Sequence, residues 1–144
     1  MKPPTMRPWN LALRLGLEVG ALGGLGIGVW SQTDGTARWV AVVITPLIGA
    51  ALWGTFNVLD DPSRSGKAPV EVPGWFRLVI EVLVLGAGWA AYRIAGYPSI
   101  ALGFTALTVL HYAIAHGRVR WLLTQHASTL PPDQAPDSRP ASNA

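Results

Sequence analysis

Two pairs of opposite charges, each spaced four residues apart, stand inside apolar stretches of this chain. Arg14 is followed by Glu18, and Arg77 is followed by Glu81. Residues four apart lie on one face of an α-helix, so each pair can form an ion pair. An ionisable side chain at bilayer depth costs about 2.5–3.5 kcal/mol, and such residues normally face other helices or a polar cavity. We therefore expect these four residues to form a polar cluster within the membrane.

Two interpretations of this cluster are open. In the first, the pairs neutralise each other, within one helix or by exchanging partners between helices, and organise a helical bundle. In the second, the four groups line a polar cavity for a proton, an ion or a small anion, as in a small proton-coupled exporter of cations or drugs. An Arg close to a carboxylate tends to hold it ionised, which disfavours a proton-coupling role. The sequence therefore favours the structural role.

The elements that carry these charges have the length and composition of membrane spans. Half of the 144 residues are apolar and only 13% are charged, against about 25% charged residues in ordinary soluble domains. Each apolar run is about as long as the ~20 residues that cross a bilayer as a helix. We predict an all-α integral membrane four-helix bundle at 10–123, with an N-terminal arm at 1–9, a disordered tail at 124–144, and helices at about 10–30, 39–59, 74–96 and 99–123.

The basic residues predict the orientation of this bundle. Of the 11 Lys and Arg residues, only Arg38 and Arg93 lie near the two loops that close the helical hairpins. The others lie towards the N-terminus, in or beside the connection 57–73, or towards the C-terminus. The positive-inside rule therefore predicts that both termini lie in the cytoplasm. The first helix is expected to be retained, because a signal peptide would not carry Arg14 and Glu18 in its apolar region.

The two halves of the chain align with each other at an offset of 63 residues. This offset superimposes Arg14 on Arg77 and Glu18 on Glu81. Two helices separate the equivalent positions, so both copies would enter the bilayer from the same side. The two hairpins are therefore interpreted as a parallel internal repeat about an axis along the membrane normal.

Four glycines at intervals of four residues follow one side of the first helix. Such a ladder lets two helix backbones approach closely in lipid. It favours packing within the monomer, and a homodimer face is the alternative. The ladder consists of Gly16, Gly20, Gly24 and Gly28.

Several classes of function are disfavoured, because the chain either lacks the residues they need or holds them far apart in sequence. There is no cysteine, so disulfides and thiolate metal sites are excluded. His111 and His116 are five residues apart and cannot hold one metal from a single helix face. The sequence also shows no nucleophilic side chain paired with a general base. The basic residues form no stripe for nucleic acid. We expect no cofactor, no metal and no enzymatic activity; the lipid bilayer is the expected partner, and no protein partner can be named.

Three smaller features complete the sequence-based expectations. Asn10 is predicted to be the N-cap of the first helix. Tryptophans near the helix ends, Trp53 and Trp121 among them, are predicted to lie in an interfacial aromatic belt. His111 is expected to be hydrogen-bonded inside the bundle.

The order of these motifs resembles the YrdB-like family of small bacterial membrane proteins of unknown function. The resemblance covers about residues 9 to 115. It rests on the run Asn10–Arg14 with Glu18, Pro46, the run Leu52–Phe56, Pro62, Pro73, and Arg77 with Glu81. It implies a four-helix protein of the bacterial cytoplasmic membrane and supplies no activity.

Overall fold

The computed structural model describes residues 4–63 and 69–125, and these residues are mostly helical. The helices are α1 (Pro8–Gln32), α2 (Gly35–Thr55), α3 (Gly74–Ile94), α4 (Pro98–Ile114) and α5 (His116–Thr124). Two short strands, β1 (Phe56–Asn57) and β2 (Val70–Glu71), form a parallel pair in the connection between α2 and α3. The helical content agrees with the predicted all-α class. The tail predicted to be disordered lies outside the described residues from 126 onwards.

The long helices have the properties of membrane spans. Within the described residues, three helices are long and apolar enough to cross a membrane, namely α1, α2 and α3. The number rises to four if α4 and α5 together form one broken span. Large apolar side chains along α2, among them Val43 and Leu47, are exposed. An exposed apolar surface of this length fits contact with lipid chains better than contact with water.

The predicted fourth helix is divided into two. The prediction of one helix at 99–123 is corrected here, because α4 ends at Ile114 and α5 continues at an angle of 67°. The break at Ala115 turns the side chain of Arg118 into the interior, where it binds two carboxylates. These ion pairs help to hold α5 in its position after the bend.

The second helix lies four residues earlier in the chain than predicted, because it begins at Gly35 rather than at residue 39. It ends at Thr55 rather than at residue 59, and Phe56 and Asn57 instead form β1. The side-chain amide of Asn57 donates to the carbonyl oxygen of Gly54 at 2.8 Å. This hydrogen bond satisfies one of the carbonyls that a helix leaves free at its C-terminus.

Helices α1 and α3 approach each other closely. A Cβ atom added to Gly24 would lie 2.6 Å from the carbonyl oxygen of Gly88, and one added to Gly88 would lie 2.6 Å from the Cα atom of Ala21. At Gly28 the equivalent distance to the Cβ atom of Ala91 is also 2.6 Å. The hydroxyl of Tyr92 donates to the carbonyl oxygen of Gly20 at 2.8 Å, which ties the same two helices together.

The four glycines of the ladder do not share one neighbour. Gly24 and Gly28 face α3, whereas Gly20 faces the ring of Phe104 in α4, 3.2 Å from an added Cβ atom. No described atom lies within 4 Å of a Cβ atom added at Gly16, which is exposed. Half of the ladder therefore belongs to the α1–α3 contact. The homodimer alternative stays a prediction.

We expect Gly24→Ala and Gly16→Ala to have opposite effects on stability. The added methyl group at residue 24 overlaps the backbone of α3, and overpacking of this kind costs about 1–3 kcal/mol. The methyl group at residue 16 meets open space and improves helix propensity by roughly 0.5–1 kcal/mol. Thermal unfolding of the two purified variants in one detergent measures the difference. Equal unfolding temperatures would contradict the close approach of α1 and α3.

Candidate functional site

The carboxylate of Glu81 is the centre of a buried ion-pair network. Its Oε1 atom accepts hydrogen bonds from Arg14 Nη2 at 2.7 Å and Arg77 Nε at 3.2 Å. Arg118 donates to both oxygens, at 2.7 Å to Oε1 and 3.1 Å to Oε2. The hydroxyl of Tyr112 donates to Oε2 at 3.1 Å. Glu81 is completely buried, and its two oxygens accept five hydrogen bonds.

Arg118 extends the network to a second carboxylate outside the long helices. Its Nε and Nη2 atoms donate to the two oxygens of Asp61, at 2.9 Å and 2.5 Å. The Oδ1 atom of Asp61 also accepts hydrogen bonds from the amide and hydroxyl of Ser63. Burial alone would raise the pKa of the Asp61 carboxyl, but the hydrogen bonds and charge of Arg118 outweigh burial and hold this pKa below its usual value. Arg118 thus joins α5 to both α3 and the α2–α3 connection.

Arg77 links the network to the end of α2. Its Nη1 atom donates at 2.7 Å to the carbonyl oxygens of both Trp53 and Phe56. These carbonyls lie at the helix C-terminus, where the helix dipole favours a positive charge. Arg77 therefore holds the end of α2 and the carboxylate of Glu81 at the same time.

Arg14 is shared between two carboxylates. Its Nε atom donates to Glu18 at 3.0 Å, and its Nη2 atom donates to Glu81 at 2.7 Å. The same-helix pair and the exchange between helices, which the sequence left as alternatives, are therefore both present. Glu18 keeps 22% of its side-chain surface accessible, whereas Glu81 keeps none. The two pairs share a spacing in sequence but differ in environment.

The ring of Trp53 packs against two of these guanidinium groups. The central carbon of Arg77 lies 4.8 Å from the ring centroid, and that of Arg14 lies 5.4 Å from it. Cation–π attraction operates at such distances. The prediction that Trp53 and Trp121 belong to an interfacial belt is wrong, because both are buried. Trp53 covers the Arg side chains, and Trp121 packs with Val58 near the start of α3.

A separate polar contact joins α1 to α4. Asn10 Oδ1 and His111 Nδ1 are 2.9 Å apart, and both side chains are buried. The prediction of Asn10 as the N-cap is corrected here, because α1 begins at Pro8 and has Arg7 at the cap position. The expected hydrogen bond of His111 within the bundle is present. His116 is exposed, as its position beyond α4 allows.

Two cavities, one small and one larger, border the four sequence-predicted residues. The first, lined by Arg14, Glu18, Glu81 and His111 among others, has a volume of about 10 Å³. This is close to the smallest space that holds one water molecule. The second has a volume of about 230 Å³ and touches the network only at Glu18 and Trp53. The four sequence-predicted residues therefore pack together and do not enclose a space large enough for a hydrated ion.

The structure adds members to the cluster that the sequence did not indicate. From the sequence alone, Arg118 contributes only to the basic residues towards the C-terminus, and Asp61 is only one residue of the connection 57–73. Tyr112 carried no predicted role. One signal was present, since Arg118 stands three and four residues before the apolar Trp121 and Leu122, and such spacing places all three on one helix face. Among the described residues no group of three or more His, Asp or Glu side chains is arranged to hold a metal.

Together these features define a small, mostly helical protein whose long helices are apolar enough to span a membrane, with an internal network of three arginines and three carboxylates. The chain belongs to the family described as protein of unknown function (DUF2568), whose model matches residues 12–109. It is 38% identical over 116 residues to "Uncharacterized protein YrdB" of Bacillus subtilis (strain 168), an alignment that covers 81% of this chain and 94% of that protein. The family resemblance predicted from the sequence is confirmed. No solved structure matches the chain.

We expect Asp61→Asn to remove part of the acid sensitivity of folding. The pKa of Asp61 is lowered in the folded protein, whereas an unfolded Asp titrates near ~3.9. The stabilisation is therefore complete above about pH 4 to 5 and is lost as the pH falls towards the folded-state pKa. Thermal unfolding between pH 7 and pH 3 should show lower stability of Asp61→Asn at pH 7 and a shallower decline in acid.

Asp60→Asn is the matched control for this measurement. Asp60 is the exposed neighbour of Asp61, so its substitution should leave both the stability at pH 7 and the acid slope close to those of the unchanged protein. Parallel acid profiles for Asp61→Asn and the unchanged protein would contradict the proposed ion pair with Arg118.

Proposed function

We propose that this protein is a non-enzymatic, multi-pass membrane protein in which the Glu81 network organises the helical bundle. One observation carries the proposal. Glu81 accepts hydrogen bonds from Arg14 in α1, Tyr112 in α4 and Arg118 in α5, and from Arg77 on its own helix. A carboxylate that is completely buried and bound on all sides is suited to fixing helix positions and poorly placed to exchange a proton or a ligand.

The charge balance of the network supports the same role. Three arginines, Arg14, Arg77 and Arg118, are matched by three carboxylates. Buried ion pairs add little net stability over apolar packing, but removal of one partner leaves an uncompensated charge and costs about 3–5 kcal/mol. Such a network therefore penalises any arrangement of the helices in which one member lacks its partner. The network therefore contributes to the specificity with which the helices pack.

The proposed arrangement in the membrane is a four-helix bundle of two hairpins with both termini in the cytoplasm. In this arrangement α4 crosses the bacterial cytoplasmic membrane and α5 lies at its cytoplasmic side. Glu81 would lie about 10 Å along α3 from its cytoplasmic end, at 1.5 Å per residue. The distribution of Lys and Arg supports this orientation. The equal spacing of the charged pairs in α1 and α3 supports the parallel repeat.

A proton-coupled exporter is the second candidate, and one observation favours Glu18 as its working residue. Glu18 is the partly accessible carboxylate of the network and contacts the larger cavity. Glu81 has neither property. In this candidate the network would hold Arg14 in place, and only Glu18 would exchange its partner during transport.

We expect Glu81→Ala to destabilise the protein far more than Glu18→Ala. Loss of Glu81 leaves Arg14, Arg77 and Arg118 without their common partner, at a cost of about 3–5 kcal/mol. Loss of Glu18 leaves Arg14 bound to Glu81, so the cost should be smaller. Reversible unfolding in mixed micelles measures both values.

A double-mutant cycle separates the two contacts of Arg14. With Arg14→Leu as the common variant, the coupling energy to Glu81 should exceed the coupling energy to Glu18. Equal coupling energies, or a larger coupling energy to Glu18, would show that Glu81 is not the main partner of Arg14 and would contradict its central role in the network.

Reporter fusions test the orientation of the bundle. A cytoplasm-active reporter placed within residues 57–73 or after Ala144 should be active, and the same reporter at Thr33 or Gly96 should be inactive. The fusions at Thr33 and Gly96 are the controls for the fusions within residues 57–73 and after Ala144. Reporter activity at Thr33 and Gly96, together with no activity at the other sites, would contradict the proposed topology.

A further inference from the structure

The larger cavity next to Glu18 has features of a binding site that the bundle itself does not require. We infer that this cavity, called here the Glu18 cavity, binds a hydrophobic organic cation. Its lining comes from three helices and consists of Glu18 and Leu22 of α1, Ala50, Trp53 and Gly54 of α2, and Val84 of α3. The inference does not depend on the structural role proposed for Glu81.

The charge of the lining favours a cation. Glu18 is the charged residue among those that line the cavity. Its Oε1 atom accepts a hydrogen bond from Arg14, but no described residue donates to its Oε2 atom. An ionised carboxylate offers about four acceptor positions on its two oxygens. A carboxylate with an unused oxygen beside lipid-exposed surface is a favourable partner for a positive ligand, because lipid chains cannot compensate its charge.

The positive charge of Arg14 opposes such a ligand only in part. Arg14 donates to Glu81 through its Nη2 atom at 2.7 Å, so its charge is shared with a second carboxylate. Arg77 and Arg118 are also bound to the carboxylate of Glu81. The ligand would therefore meet the carboxylate of Glu18 directly, with the arginines already paired.

The remaining lining favours an organic cation over a metal ion. A hard metal ion requires about six oxygen ligands, whereas Leu22, Ala50 and Val84 offer only hydrocarbon. Trp53 adds aromatic surface to this lining, which suits a phenyl group, while the cation–π contacts of its ring are those with Arg14 and Arg77. The volume of about 230 Å³ exceeds the ~150 Å³ of an engineered cavity that binds benzene. It is large enough for a phenyl ring with a compact ammonium group.

Phenyltrimethylammonium is a suitable probe, and its uncharged isostere tert-butylbenzene is the matched control ligand. We expect the full chain in phosphatidylcholine nanodiscs to bind the cation in equilibrium dialysis, after subtraction of binding to empty nanodiscs of the same lipid. Glu18→Gln should weaken binding of the cation by about tenfold or more, because it removes the opposite charge in a site of low dielectric. Binding of tert-butylbenzene should be unaffected by this substitution.

Two further variants control for surface charge and for folding. Asp34→Asn removes an exposed carboxylate and should leave binding of the cation unchanged. Ala50→Leu keeps every charge and fills the cavity, so it should abolish binding of both ligands even if Glu18→Gln fails to fold. Retained binding of the cation in Ala50→Leu, or equal loss in Glu18→Gln and Asp34→Asn, would overturn the inference. So would equal binding of the two ligands to the unchanged protein.

Discussion

The buried carboxylate of Glu81 is the constraint on which the arrangement of the helices depends. Three guanidinium groups lie around it, and like charges at such short separations repel strongly where water is excluded. Only a carboxylate placed among them makes their burial acceptable. Because these arginines come from α1, α3 and α5, the position of each helix is limited by the reach of one Arg side chain. The end of α2 is limited in the same way through Arg77.

Much of this architecture could be predicted from the sequence, because helices that are long and apolar enough to span a membrane have a distinctive composition. The apolar runs predict the long helices. The four-residue spacing of Arg14 and Glu18 predicts their ion pair, which is present. The larger part of the network could not be predicted. Arg118 reaches Glu81 from beyond the bend at Ala115, and Asp61 reaches Arg118 from a connection without regular periodicity. Contacts of this kind depend on the path of the chain, which local patterns do not determine.

The difference between Glu18 and Glu81 shows how little a sequence motif says about chemistry. Both glutamates follow an Arg by four residues, both occupy long apolar helices, and a sequence alignment of the two halves makes them equivalent. In three dimensions one is the completely buried centre of the network and the other lies at its edge, beside a cavity. A function that needs an accessible carboxylate can use only Glu18. A function that needs a fixed one can use only Glu81.

The pairing of charges within single helices also has a consequence for biosynthesis. Arg14 and Glu18 are synthesised together on α1, and Arg77 and Glu81 together on α3. In the proposed membrane arrangement, each of these helices would carry its own counter-ion on entering the bilayer, before α5 and Arg118 are synthesised. The last charge of the network, Arg118, is made when these two helices have already been produced. In that arrangement the same arginines would first be neutralised within their own helices and later join the helices to one another.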